Sequence, residues 1–190
     1  RPTLKVLTIH EPWASLIAGG LKRIETRSWR TPYRGPLLIH AGKHMPSEAK
    51  RLAHVEQHKR RLPASLSLGA LVAIARLAEI RPTEDLVSGV SATERRYGDF
   101  APGRFGWILS DVRRFQTPIP YRGAQGLFDA GLWRIEEIYD VHCCVCGCTE
   151  DEPCPDGCAW CEDHEMQDRC TSCVGLPVPK LPPVRLIRAR

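Results

Sequence analysis

Nine cysteines fall between Cys143 and Cys173, whereas residues 1–142 hold none. Clustering of that kind has one local cause, either metal or disulfides. The outer pairs, Cys143-x-x-Cys146 and Cys170-x-x-Cys173, are short knuckles separated by a loop, a spacing that lets four thiolates converge tetrahedrally on Zn²⁺. Cys148, Cys154, Cys158 and Cys161 supply a second tetrahedral set, with His164 as a substitute for one of them, and Cys144 is left spare. A four-sulfur site has no open coordination position, so the expected one or two zinc ions are structural; an inner site with three protein ligands plus water would instead permit hydrolysis there. The intervening loop is rich in Glu, Asp, Pro and Gly and cannot build an apolar core of its own. An odd cysteine count argues against a disulfide knot, as does the reducing compartment expected below, and paired knuckles suit zinc better than an iron–sulfur cluster.

A second constellation lies near the other end, in Gly20-Leu21-Lys22-Arg23-Ile24-Glu25-Thr26-Arg27. Strand alternation puts Glu25 and Arg27 on one face and Lys22 on the other, and local twist at the strand's start would bring all three to one cleft. Lys22, Arg27, Arg30, Arg34 and Lys43 carry the charge to neutralise phosphates, while Trp29, Tyr33 and Trp13 offer flat faces for an unstacked base. Glu25 would accept a hydrogen bond from an exocyclic amine, as a carboxylate does from cytosine N4. His40 and His10 are candidate general bases, should the site cleave a phosphodiester with Lys22 or Arg27 on the phosphate. The competing structural readings are an ion pair for Glu25 and Arg27, a core position for Trp13, Trp107 and Trp133, and a solvated basic face for the helix that ends near Lys59-Arg60-Arg61.

These residues need a scaffold, and the pattern supplies one of α+β type. Val6–Ile9 reads as a strand, followed by a helix with Pro12 at its first position and Gly19-Gly20 at its end. Strands are expected at 22–30, 37–40, 70–80, 105–109 and 132–138, with a helix from Ser47 to about Arg61 and a turn-rich stretch over 118–126. The tail from Pro177 to Pro183 reads as extended, and Val184–Arg188 either returns as an edge strand or stays a basic arm.

With 190 residues, one main core plus an appendage is expected, divided as 1–142, 143–175 and 176–190. Charge is split: residues 1–140 hold 22 Lys and Arg against 14 Asp and Glu, whereas residues 141–190 hold 5 against 8. A polyanionic partner therefore belongs on the first part. The acidic Glu150-Asp151-Glu152 loop would suit a basic protein partner of the cysteine module. No apolar run approaches the roughly 20 residues that cross a bilayer, and no secretory pattern opens the chain, so a cytoplasmic, intracellular setting is expected.

Gly20-x-Lys22-x-x-Glu25-x-Arg27, preceded by Pro12-Trp13-Ala14, resembles the G-x-K-x-x-E-x-R motif of the ASCH family, a branch of the PUA-like superfamily. Tyr33–Ala41 resembles the family's next strand and Gly123–Leu127 its late loop, so the similarity runs from about residue 4 to 138. It implies a small β-barrel with flanking helices and a cleft for RNA, DNA or a modified nucleoside. The leading expectation is thus a binding module for RNA, for single-stranded or modified DNA, or for a modified nucleoside.

Some small bacterial members are N4-acetylcytidine amidohydrolases. That likeness implies a catalytic set of Lys22, Glu25 and Glu79, with Glu25 standing where those members have Thr. A desolvated Lys beside a carboxylate could activate water and protonate the leaving amine. Ribonuclease action is the further alternative. The segment Cys146-Gly147-Cys148-Thr149, with Cys154-Pro155-x-Gly157-Cys158-x-Trp160 and Cys170-x-x-Cys173, resembles a zinc module of phage and bacterial proteins, in which Cys144 and Cys161 are extras.

Overall fold

The computed structural model describes residues 4–58, 61–131, 133–137, 160–162, 168–170 and 184–188. Along the chain run β1 (Lys5–Ile9), α1 (Trp13–Ala18), β2 (Ile24–Arg27), β3 (Gly35–Ala41), α2 (Ser47–His58), β4 (Ala70–Pro82), α3 (Thr83–Leu86), α4 (Ala92–Tyr97), β5 (Phe105–Pro120), β6 (Leu127–Asp129), β7 (Trp133–Glu137), β8 (Trp160–Glu162), β9 (Asp168–Cys170) and β10 (Val184–Arg188).

Eight strands form one sheet in the order β6-β1-β3-β4-β5-β10-β7, with β2 also paired to β5; β8 and β9 make a separate two-stranded ribbon. The neighbours β1 and β3 run parallel, whereas β3-β4, β4-β5 and β2-β5 are antiparallel. The long strands β4 and β5 slip register at three places, and β3 slips once against β4. Each such irregularity bends a strand and adds local twist, which is how a sheet this size curls on itself. The barrel expected from the sequence does not close: among the described residues β2 and β6 have no pairing between them, and the result is a curled half-barrel flanked by helices.

Alternation sorts the apolar residues of the central strands onto two faces. Leu7, Ile9, Leu37, Ile39, Ala73 and Leu77 gather with Ala14 and Ile17 of α1 and with Trp107 in one cluster. Val6, Leu38, Leu71, Ile74 and Phe115 form another. Strands buried on both sides read as continuous apolar runs, as Leu37–Ile39 and Ala70–Ala75 do. Trp107 is fully buried, as its strand pattern predicts.

Several boundaries moved. The strand expected at 105–109 continues to Pro120, so the first part of the stretch read as turns is ladder. Residues 184–188 pair antiparallel with β7 and touch β5 at Val184, which places β10 between two strands rather than at an edge. The short α3, α4 and β6 were not foreseen. Of the cysteines, only Cys161 and Cys170 belong to described strands; the remaining seven, with His164, lie outside the described residues. No described helix is long and apolar enough to cross a membrane.

Candidate nucleic-acid interface

The unclosed seam of the half-barrel is where the chemistry gathers. A cleft of about 830 Å³ opens there, walled on one side by Thr8, Ile9 and His10 from the end of β1 and by Ala124–Gly126, and on the other by Glu25, Thr26 and Arg27 of β2. Trp13, Trp29, Glu48, Tyr97 and Asp99 extend its lining, together with Arg96 and Arg104.

The start of β2 is set by how α1 stops. Gly20 takes a positive φ of 73°, its N–H bonds Ile17 O at 2.9 Å, and the Leu21 N–H bonds Leu16 O at 2.9 Å. This is a Schellman ending, which requires a left-handed residue at that position and explains the motif's glycine. The accompanying apolar contact is present, since Leu21 packs on the cluster that contains Leu16. Glu94 then fixes the next two residues: its buried carboxylate accepts the Arg23 N–H at 2.9 Å and the Ile24 N–H at 2.9 Å.

The turn leaves Lys22 ahead of the strand rather than in it, and its side chain points inward, 1% exposed. Its Nζ donates to Ile24 O and lies 3.4 Å from Glu25 Oε2. Glu25 Oε1 in turn lies 3.1 Å from Arg27 Nε, an ion pair in which that buried N–H is not aimed as a hydrogen bond. Arg27 Nη2 donates to Thr8 O at 2.8 Å, so one guanidinium spans the seam from β2 to β1. Glu25 is the pivot, with Lys22 beneath it, Arg27 beside it and the cleft in front.

The cleft lining also carries two cations that sequence reasoning missed. Arg96 Nη2 pairs with the fully buried Glu56 at 2.9 Å, and Tyr97 Oη donates to the same carboxylate at 2.9 Å. Arg104 Nε pairs with Asp99 at 3.2 Å. The available signal was Ser91-x-x-Glu94 ahead of Arg95-Arg96, a helix-start pattern; Ser91 does cap α4 by accepting the Glu94 N–H.

The structure gathers some of the expected residues and separates others. Glu25, Arg27 and Trp29 line the cleft, as do His10 and Trp13. Trp13 also packs against two core clusters, as a core position predicts. Arg30 and Tyr33 line a neighbouring recess with Trp29. Lys22 lies behind Glu25, and His40, 2% exposed, lies behind Thr8, so neither is among the lining residues. Arg34 is exposed and donates to Thr31 O and Tyr33 O, and Lys43 is exposed with its stem against Gly69; neither lines the cleft or the neighbouring recess. Glu79, proposed as a third catalytic group, is an exposed side chain 3.8 Å from Arg81, outside the cleft and not beside Lys22. The reason is the register shift between Leu77 and Glu79, which interrupts the alternation that would otherwise put Glu79 on the buried face of Leu77. Among the described residues no group of three or more His, Cys, Asp or Glu is arranged to hold a metal.

His40 supports the cleft wall indirectly. Its Nε2 lies 3.1 Å from Tyr121 O and its Nδ1 3.2 Å from Thr8 Oγ1, which also lies 2.9 Å from Ala124 O. A carbonyl only accepts, so Nε2 carries the proton, and the single Thr8 hydroxyl proton is shared between Nδ1 of the neutral ring and Ala124 O. Gly123 is needed here, because a Cβ would come within 2.4 Å of His40.

Burial chiefly, with Lys43 adding to it, lowers the His40 pKa from 6.5 against the opposing pull of the Tyr121 carbonyl. The folded state thus binds this proton less readily than the unfolded chain, and stability falls as pH drops below about 6.5. Thermal midpoints measured between pH 7.5 and 5.5 should decline toward acid in the natural protein and decline less in His40→Gln. Identical slopes would refute the assignment.

The family model described as the ASCH domain matches residues 7–119 of this chain. Activating signal cointegrator 1 of Homo sapiens and of Mus musculus are each 56% identical over 41 residues, 22% of this chain, and the match spans only 7% of the length of those relatives. The crystal structure of ASCH from Zymomonas mobilis is similar with a TM-score of 0.44 and 16% identity, covering 67% of this chain and 87% of that one. A point variant of the same protein gives 0.43 and 16%, covering 67% and 90%. With the matched model covering more than half of its residues, the chain belongs to the ASCH domain family.

Proposed function

We propose that this chain recognises an unpaired, amino-bearing nucleobase of RNA or single-stranded DNA, or of a modified nucleoside, in the seam cleft. The observation that carries this reading is Glu25: a carboxylate held in place by two cations, at the wall of a cleft that also presents partly buried tryptophans. An ionised carboxylate only accepts, so it favours a base that offers an amine and disfavours one that offers a carbonyl in its place. A volume of about 830 Å³ is in the ordinary range for small-ligand sites. Recognition is favoured over amide hydrolysis of N-acylated cytidine because the Lys22 ammonium is closed off beneath Glu25 and Glu79 stands outside.

Calorimetric titration should show cytidine binding about 10-fold or more tighter than uridine, the scale of one hydrogen bond to a charged group. Glu25→Gln should remove most of that preference, whereas Arg95→Ala, at an exposed residue outside the cleft, should leave it. Equal affinity for the two nucleosides would overturn the reading.

The cysteine module is proposed to bind one or two structural zinc ions through Cys143, Cys146, Cys170 and Cys173 and through Cys148, Cys154, Cys158 and Cys161, with His164 as a substitute ligand. The nine-cysteine cluster in a loop poor in aliphatic residues supports this. In the β8–β9 ribbon Cys170 stands opposite Trp160 and Cys161 opposite Arg169. A basic protein partner for the acidic loop of this module, and a cytoplasmic location, belong to the same proposal.

A further inference from the structure

The seam cleft has a neighbour. A second recess of about 660 Å³ lies against it and is lined by Lys5, Trp29, Arg30, Tyr33, Gly126 and Leu127 among others. Trp29 and Gly126 line both recesses and so form the ridge between them. The Trp29 ring is held edge-on against the buried Trp107, with centroids 4.6 Å apart and planes at 83°, and Trp107 Nε1 donates to Trp29 O at 3.2 Å. The divider is therefore rigid, and it keeps part of its surface in solvent.

The two recesses differ in charge. In the cleft each arginine already faces a carboxylate: Arg27 has Glu25, Arg96 has Glu56 and Arg104 has Asp99. Such a balanced wall suits a neutral heterocycle that offers both donors and acceptors. In the second recess Lys5 is paired with Asp129 at 2.8 Å. Arg30 is exposed and has no carboxylate partner among the described residues; its guanidinium lies 5.9 Å from the Phe105 ring centroid. A cation without a carboxylate partner, in a recess also lined by Trp29 and Tyr33, suits a phosphodiester with the base that follows it.

We infer that the two recesses take consecutive nucleotides of one single strand, with the first base in the seam cleft, the linking phosphate at Arg30 and the second base against Trp29 and Tyr33. This rests on the base-recognition reading above and narrows its ligand class, which there included a modified nucleoside, to a strand. A duplex does not fit, since the first base must leave its stack to enter the cleft.

The test compares cytidine with the dinucleotide CpC, both titrated against the full chain at several salt concentrations. CpC should bind about 10-fold or more tighter than cytidine, because stacking of the second base adds to the phosphate contact. Arg30→Ala should lower the slope of log K against log[salt] for CpC by about 0.7, the share of one phosphate on a single strand. That variant, and Pro32→Glu, which sets a negative charge on the exposed rim of the second recess, should each bring CpC close to cytidine while cytidine affinity stays the same. A CpC advantage that survives both substitutions, or no advantage in the natural chain, overturns the strand inference alone. Failure of the natural chain to bind cytidine would sink the base reading and this inference with it.

Discussion

Glu25→Ala is expected to destabilise the ASCH domain by about 3–5 kcal/mol, the range for removing one partner of a buried ion pair. The size follows from Lys22. Its side chain is 1% exposed, and the variant would leave its ammonium with the Ile24 carbonyl as its remaining partner among the described residues. Arg27, 25% exposed, can turn to water and adds less to the loss. The double variant Lys22→Met/Glu25→Gln removes the buried charge together with its counterion, keeps the side-chain volumes, and should recover most of the stability. It should not recover the preference for cytidine over uridine. Urea unfolding of the three proteins is the measurement. A loss below about 1 kcal/mol in Glu25→Ala would mean that Lys22 does not depend on Glu25, and the account of the cleft floor would fail.

Zinc removal should have an effect of comparable or larger size, confined to the second part of the chain. Structural zinc in small cysteine modules is worth about 10–16 kcal/mol of apparent binding free energy near neutral pH, and that free energy is folding free energy where the loop has no core of its own. Elemental analysis should find one to two zinc ions per chain. Chelation should open amide exchange across 143–173 while protection in β3 and β4 persists, because those strands are buried on both faces by side chains of residues 4–131. Cys143→Ser or Cys173→Ser should lower the zinc content by one ion if the outer and inner sets are separate. Fully oxidised cysteines with no metal would refute the zinc account, and so would a content that those substitutions leave unchanged.

Much of the site was legible because its residues are local. The glycine of the motif could be read as a helix end because a Schellman turn is fixed by a few consecutive residues, here Leu16 to Leu21. Strand alternation put Glu25 and Arg27 on one face, and both line the cleft. Lys22 was the exception: alternation holds only inside a strand, and β2 begins at Ile24, so the preceding turn rather than the pleat aims the lysine. What the sequence could not reveal is what arrives from a distance. Arg96 reaches the cleft because Glu56, 40 positions earlier, anchors it, and Glu79 leaves it because the register shift after Leu77 turns it to solvent. Residues 184–188 carry no local mark that distinguishes a strand from a basic arm. Their partner, Trp133–Glu137, lies about 50 positions away, and strand formation depends on such context more than on propensity.

The most direct test is to map where a base sits. A short single-stranded oligonucleotide carrying one photoreactive 5-iodocytosine, which keeps the exocyclic amine, can be crosslinked to the full chain and the attached peptides identified. Attachment is predicted within residues 8–13, 25–29 and 124–126, the walls of the seam, and should be lost when unlabelled CpC competes. Crosslinks confined to residues 143–190, or spread evenly over the exposed arginines, would contradict the assignment of the seam as the base site.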